Sequence, residues 1–177
     1  MMKSLSILIF SVSTAGVALA QSPTPPPPPC QEDIYRAFDF WLGTWDVTTT
    51  AGQTAGVNKI TAQENGCLVL EEWTSIGGNT GQSYNFYDPG IKKWRQIWVS
   101  GGATIDYAGG LNDAGEMALE GEIAYRNGTS FPFRGTWTPN EDGSVRQYFQ
   151  QYNPKTEEWD DWFTGIYKKQ SDEEKDN

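Results

Sequence analysis

Residues 81–110 read GQSYNFYDPGIKKWRQIWVSGGATIDYAGG. Three runs rich in aromatic and β-branched residues, 81–87, 92–100 and 103–110, are separated by Asp88-Pro89-Gly90 and by Gly101-Gly102. Those separators are turn chemistry: glycine reaches positive φ without a steric penalty, and proline presets the first turn position. Connections this short join only antiparallel neighbours. The same unit extends in both directions and predicts ten strands, at 44–50, 56–64, 67–76, 81–87, 92–100, 103–110, 115–125, 130–138, 144–152 and 158–168. The remaining separators include Ala51-Gly52, Asn65-Gly66, Gly77-Gly78-Asn79, Asn127-Gly128 and Asn153-Pro154. Ten consecutive strands leave two long unpaired edges unless the sheet closes on itself. The expected fold is therefore all-β, a single ten-stranded antiparallel up-and-down barrel. A two-sheet sandwich is the alternative, and it would want a longer crossover than any connection here.

Upstream of the strands, apolar groups at 34, 37, 38, 41 and 42 follow a helical spacing, with Glu32 and Asp33 in the first turn and Gly43 as a stop. One short helix is expected to open the domain. Before it, Met1-Met2-Lys3, a mostly apolar run over 4–17 and Ala18-Leu19-Ala20 have the layout of a secretory signal peptide cut near Ala20. The run is shorter than the roughly 20 residues a membrane-crossing helix needs. The organisation expected is a signal peptide at 1–20, a proline-rich linker at 21–30, a barrel domain at 31–169 and an acidic tail at 170–177. The mature chain would be exported, periplasmic or secreted, with no transmembrane segment. Cys30 and Cys67 are the only cysteines. An oxidising compartment favours a disulfide between them, the alternative being two free thiols.

The 177 residues carry 13 Lys and Arg against 23 Asp and Glu, a net charge of −10. Nucleic acid is a poor partner for such a chain, because phosphate binding needs clustered cations. A neutral or cationic small molecule suits it better. Histidine is absent, which excludes Ser-His-Asp and Cys-His nucleophiles, His-ligated metals and haem held by an imidazole. Met117 is the one methionine beyond the signal region. No metal site and no cofactor are expected.

The chain has eight each of Trp, Tyr and Phe, more than packing alone requires in a domain of this size. Alternation places Trp94, Gln96 and Trp98 on one strand face, Gln82, Tyr84 and Phe86 on another, and Arg146, Tyr148 and Gln150 on a third. Facing inward, they would line a lumen with rings that carry donors and acceptors; facing outward, they would coat the barrel. On the strand at 67–76, Leu68, Leu70, Glu72, Thr74 and Ile76 share a face. If that face is inside, Glu72 is a carboxylate among apolar neighbours and Glu71 faces water. Glu72 would then pair with Arg95, Arg134 or Arg146, or have its proton affinity raised by desolvation and serve as an acid or base. An ordinary ion pair at a barrel end is the plainer alternative.

Phe38-Asp39-Phe40-Trp41-Leu42-Gly43-Thr44-Trp45 resembles the entry motif of the lipocalin, or calycin, superfamily. The wider pattern includes Glu64-Asn65-Gly66-Cys67, Tyr87-Asp88-Pro89 and 94–99 (WRQIWV). It is similar to a group of exported bacterial proteins of lipocalin-like fold that share an FDFWLGxW motif. The resemblance implies a barrel whose floor is closed by Trp45; it implies no activity. The chain departs from true lipocalins by ending in a strand pattern at 162–167, closer to ten-stranded fatty-acid-binding and nitrobindin-like barrels. The haem of the latter depends on a histidine that is missing here. The expected function is non-catalytic binding of a small, partly apolar molecule, with Trp45, Glu72, Tyr84, Trp94, Gln96, Trp98, Arg146 and Tyr148 as candidate ligand-binding residues. The alternatives are an isomerase, cyclase or hydrolase using Glu72, and a packed interaction module of the cell envelope. The oligomeric state is not legible.

Overall fold

The computed structural model describes residues 26–171; the expected signal peptide, the first half of the linker and the end of the acidic tail lie outside them. Ten strands follow in order: β1 (Gly43–Thr49), β2 (Thr54–Gln63), β3 (Leu68–Ser75), β4 (Thr80–Asp88), β5 (Lys93–Ser100), β6 (Ala103–Leu111), β7 (Met117–Tyr125), β8 (Ser130–Pro139), β9 (Val145–Asn153) and β10 (Glu158–Lys169). Each pairs antiparallel with its sequence neighbours, and β1 closes the ring on β10 through a register running from Trp45↔Lys169 to Thr49↔Gly165. Every strand begins and ends within two residues of its sequence expectation. Closure pairs the last two edges, which is how an antiparallel meander avoids exposing backbone donors and acceptors.

The opening helix is shorter than its apolar spacing predicts. α1 spans only Asp33–Arg36, and a separate 3-10 turn follows at Asp39–Trp41, with Phe38 between them at φ −108°, ψ 7°. The break turns Phe38 and Trp41 together into the end of the barrel. Both are fully buried. Their rings stack at 4.9 Å, and Phe38 meets Trp94 and Trp137 edge-on at 5.7 and 5.3 Å. Trp45 Nε1 donates to the Trp41 carbonyl at 2.9 Å, and Trp94 Nε1 donates to the Ile34 carbonyl at 2.9 Å. Gly43 links plug to wall at φ +141°, where a Cβ would sit 2.5 Å from the Lys169 side chain; only glycine suits that joint.

A Cys30–Cys67 disulfide fastens the segment before α1 to the β2–β3 connection. The Arg36 guanidinium reinforces it by donating to the carbonyls of Cys30 and Gly66. One end of the barrel is thus sealed by an aromatic plug that is covalently tied down. Among the described residues, no helix is long and apolar enough to cross a membrane.

Two irregularities shape the opposite end. The β9–β10 register slips between Asp161 and Phe163, a bulge that re-aims neighbouring side chains. Trp162 and Phe163, consecutive residues that regular alternation would send to opposite faces, both line the interior. Gly81 and Gly135 make room for rings: a Cβ on Gly81 would lie 2.2 Å from the Trp98 indole, and one on Gly135 would lie 2.6 Å from Phe149.

Candidate functional site

The lumen has three levels. Against the plug lies the aromatic floor of Phe38, Trp41, Trp45 and Trp137. Above it is a belt of buried polar side chains: Asn58 on β2, Glu71 on β3, Ser83 and Asn85 on β4, Gln96 on β5 and Gln147 on β9. Above the belt, a cavity of about 780 Å³ opens between the β3–β4 and β5–β6 turns, where Gly78, Asn79, Gly101 and Gly102 form the rim. Its walls are Trp73, Trp98, Ile105, Ile123, Tyr125 and Phe149, with Trp162 and Phe163 leaning in from the bulge.

The belt is a connected hydrogen-bond network. Asn58 Nδ2 donates to Glu71 Oε1 at 2.7 Å and to the Tyr167 hydroxyl at 3.2 Å. Ser83 Oγ donates to Glu71 Oε2 at 2.5 Å. The Tyr167 hydroxyl donates to Gln147 Oε1 at 2.8 Å. On the other side of Ser83, Asn85 Nδ2 donates to Ser83 Oγ at 2.8 Å and to the Val69 carbonyl at 3.0 Å. Gln96 Nε2 donates to Asn85 Oδ1, and the Tyr107 hydroxyl donates to Gln96 Oε1. Networks of this kind hold their members in single rotamers at low local dielectric; within this one, Asn58 Oδ1 is buried without a partner.

Glu71 is the one carboxyl in the belt and part of the cavity lining. Burial pushes its pKa up to about 7, against the opposing pull of hydrogen bonds from Ser83 and Asn58. The phenols of Tyr107 and Tyr167 are held well above their ordinary value, first by burial and then by the nearby Glu71. Chemically, the site offers a carboxyl that gains and loses its proton near neutrality, amide and phenol groups at fixed positions, and aromatic walls.

The candidate residues divide cleanly by face. Trp45, Trp94, Gln96 and Trp98 point inward: Trp45 and Trp94 at the floor, Gln96 in the belt and Trp98 in the cavity wall. Glu72, Tyr84, Arg146 and Tyr148 point outward, so the faces considered for a lumen on β3, β4 and β9 are the outer ones. Glu72 is half-buried on the outer face and pairs with Lys59 across β2 and β3 at 3.3 Å. None of its three expected arginines is beside it: Arg95 is bonded to Asp106 at 2.7 Å, Arg134 donates to Gln150 at 2.8 Å, and Arg146 lies over the Tyr148 ring at 4.4 Å. Tyr84 is 49% exposed, and the Tyr148 hydroxyl donates to Asp161 on the outer surface.

On β3, the aliphatic Leu68, Leu70 and Ile76 suggested the inner face. The true inner face is Val69, Glu71 and Trp73, because the rings from across the barrel already supply its apolar mass. On β4 the inner residues are Gly81, Ser83 and Asn85, small groups that leave space for Trp98 and Gln96. Sequence reading missed Glu71, Trp73, Tyr107, Gln147 and Phe149. The alternation in 145–151 carried the signal for Gln147 and Phe149, but in the opposite phase. Trp162 carried none, since a bulge decides its direction. Met117 is fully buried on β7 opposite Trp137, away from the cavity, and the described residues contain no cluster of three metal-ligating side chains.

No protein-family model matches the chain, and no curated protein is significantly similar to it.

Proposed function

We propose that the protein is an exported, lipocalin-like barrel that binds a small, partly apolar molecule in its lumen without transforming it. The observation that carries this reading is the cavity of about 780 Å³ above the polar belt, a volume within the range of small-molecule sites. Aromatic walls supply contact area and stacking, and a few fixed polar groups at the bottom orient the guest. A wholly packed interaction module has no use for such a space. The lipocalin-like resemblance of 38–45, with Trp45 at the floor, agrees with this reading. Export agrees with the Cys30–Cys67 bond, which persists best in an oxidising compartment.

Native mass spectrometry of the purified chain after exposure to a metabolite extract tests the proposal. A bound mass is expected, and it should be lost when Ile123→Trp fills the cavity. Identical unliganded spectra for both proteins would end it.

One observation favours a second reading. Glu71, unlike the surface residue Glu72, lines the cavity and has a pKa of about 7, the range suited to general acid or base work. Turnover of the guest, abolished by Glu71→Gln with binding retained, would establish that reading in place of simple binding.

A further inference from the structure

Resting on the reading of the lumen as a guest site, we infer that the guest is an arylalkyl amine: a fused or single aromatic body bearing one ammonium group on a saturated carbon. The ammonium is directed at the Glu71 carboxylate, and the ring occupies the space between Trp73, Trp98 and Trp162.

The charge inventory of the lumen carries the argument. None of the cavity-lining residues is Lys or Arg, and Glu71 is the only one with a carboxyl. The groups that contact or face Glu71 are Asn58 from β2, Ser83 from β4, Tyr107 from β6 and Tyr167 from β10. The two amide and hydroxyl partners are neutral, and the two phenols keep their protons because burial raises both. The ionised form of Glu71 therefore has no counter-ion among the described residues that contact it or line the cavity. Buried charges are ordinarily paired. The cations closest in sequence register are used on the outer surface, Lys59 by Glu72 and Arg95 by Asp106. The missing positive charge is one that a ligand brings.

The geometry accepts it. Each Glu71 oxygen receives one hydrogen bond from the protein, and a carboxylate oxygen has capacity for a second. The aromatic side chains that share the cavity lining with Glu71, Trp73 and Trp98 among them, can attract a cation through their quadrupoles, and the net charge of −10 raises the local concentration of cations around the barrel. An anionic guest would meet Glu71 with no compensating cation. A neutral aromatic alcohol keeps the stacking and one hydrogen bond but forgoes the charge pairing.

Three matched probes, 2-naphthylmethylamine, 2-naphthylmethanol and 2-naphthoate, titrated calorimetrically into the disulfide-intact chain, provide the test. At about pH 8 the amine is expected to bind at least tenfold more tightly than the alcohol, with the carboxylate weakest. Below the Glu71 pKa of about 7, the amine affinity should fall by about tenfold per pH unit, because Glu71 must release its proton before it can pair. The alcohol affinity should stay flat. Glu71→Gln should abolish the preference for the amine over the alcohol together with its pH dependence; the pH profile of the unsubstituted protein decides the matter even if that variant folds poorly. Equal amine and alcohol affinities, or a flat amine profile, would overturn the inference while leaving the guest reading intact. Absence of amine binding would overturn the inference, and only a concurrent absence of any bound mass in the native spectra would overturn the guest reading as well.

Discussion

Glu71 on β3 and Ser83 on β4 are register partners, and Ser83 Oγ donates to Glu71 Oε2 at 2.5 Å. Direct opposition in an antiparallel pair puts both side chains on one face, here the inner one. The short hydroxyl thus meets the carboxyl without either backbone moving. Asn58 approaches the other oxygen from β2, so three adjacent strands hold one acid in place. Its proton affinity depends on that arrangement.

The pH dependence of stability follows from the raised pKa. The folded carboxyl binds its proton up to about pH 7, against a reference value of 4.5. Between those values the folded state holds more protons than the unfolded one, so stability falls as pH rises through the interval. The Glu71 contribution is complete below the lower value and lost above the upper one, amounting to about 3 kcal/mol. Urea unfolding of the native chain and of Glu71→Gln across this range should give a difference that grows with pH and levels off above neutrality. A constant difference would contradict the assignment.

Ser83→Ala removes a donor that serves the ionised form best. Loss of a charge-assisted bond to a buried group costs about 1–3 kcal/mol, and the loss should be larger in alkaline than in mildly acidic buffer. The same variant should raise the Glu71 pKa further, visible by NMR titration of the labelled carboxyl. A pH-independent effect would show that Ser83 acts by packing alone.

Gly135→Ala should destabilise by about 1–3 kcal/mol. The new methyl group would lie 2.6 Å from Phe149 and 3.1 Å from Tyr107, two rings with little freedom to retreat. Thermal unfolding measures it, and an unchanged midpoint would mean that the rings can shift.

Reduction of Cys30–Cys67, which spans 37 residues, should lower stability by about 3–4 kcal/mol on the loop-entropy account. The near-ultraviolet circular dichroism of the plug tryptophans should weaken while the far-ultraviolet strand signal persists. Equal urea midpoints with and without reductant would show that the plug holds without its bond.

Trp162→Ala should weaken binding of 2-naphthylmethanol by about tenfold, in keeping with loss of one aromatic contact. Trp162 is 47% exposed, and its Nε1 is tied only to the Tyr125 hydroxyl at 3.2 Å. Its removal should therefore shift the unfolding midpoint far less than Trp41→Ala, which empties a fully buried site at a cost of about 3–5 kcal/mol.

Most of the barrel was legible because turns are local. Asp88-Pro89-Gly90, Gly101-Gly102 and Asn127-Gly128 mark their hairpins by chemistry confined to two or three residues, and strand boundaries followed within two positions. The helix was less legible. Its apolar spacing is real, but Phe38 leaves helical geometry so that Phe38 and Trp41 can both enter the barrel end, a demand set by residues in β5 and β8.

The site was only partly readable. Trp94, Gln96 and Trp98 announce an inner face because two indoles flank the amide. Glu72 and Tyr84 mislead because a strand with one aliphatic face and one polar face ordinarily buries the aliphatics. In this barrel the opposite phase is buried on β3, β4 and β9, since floor and walls already hold enough ring volume and what remains is room for small and polar groups.

The amino-acid order alone determined the number of strands, their antiparallel succession, the turn positions and the two cysteines available to bond, because each depends on short-range backbone preferences or on composition. Only the closed tertiary structure decided which face of each strand looks inward, that Trp162 is swung over the opening, and that Glu71 is the buried acid. Those outcomes depend on the volume and charge that nine other strands bring to a shared interior, a sum over distant residues that no local stretch contains.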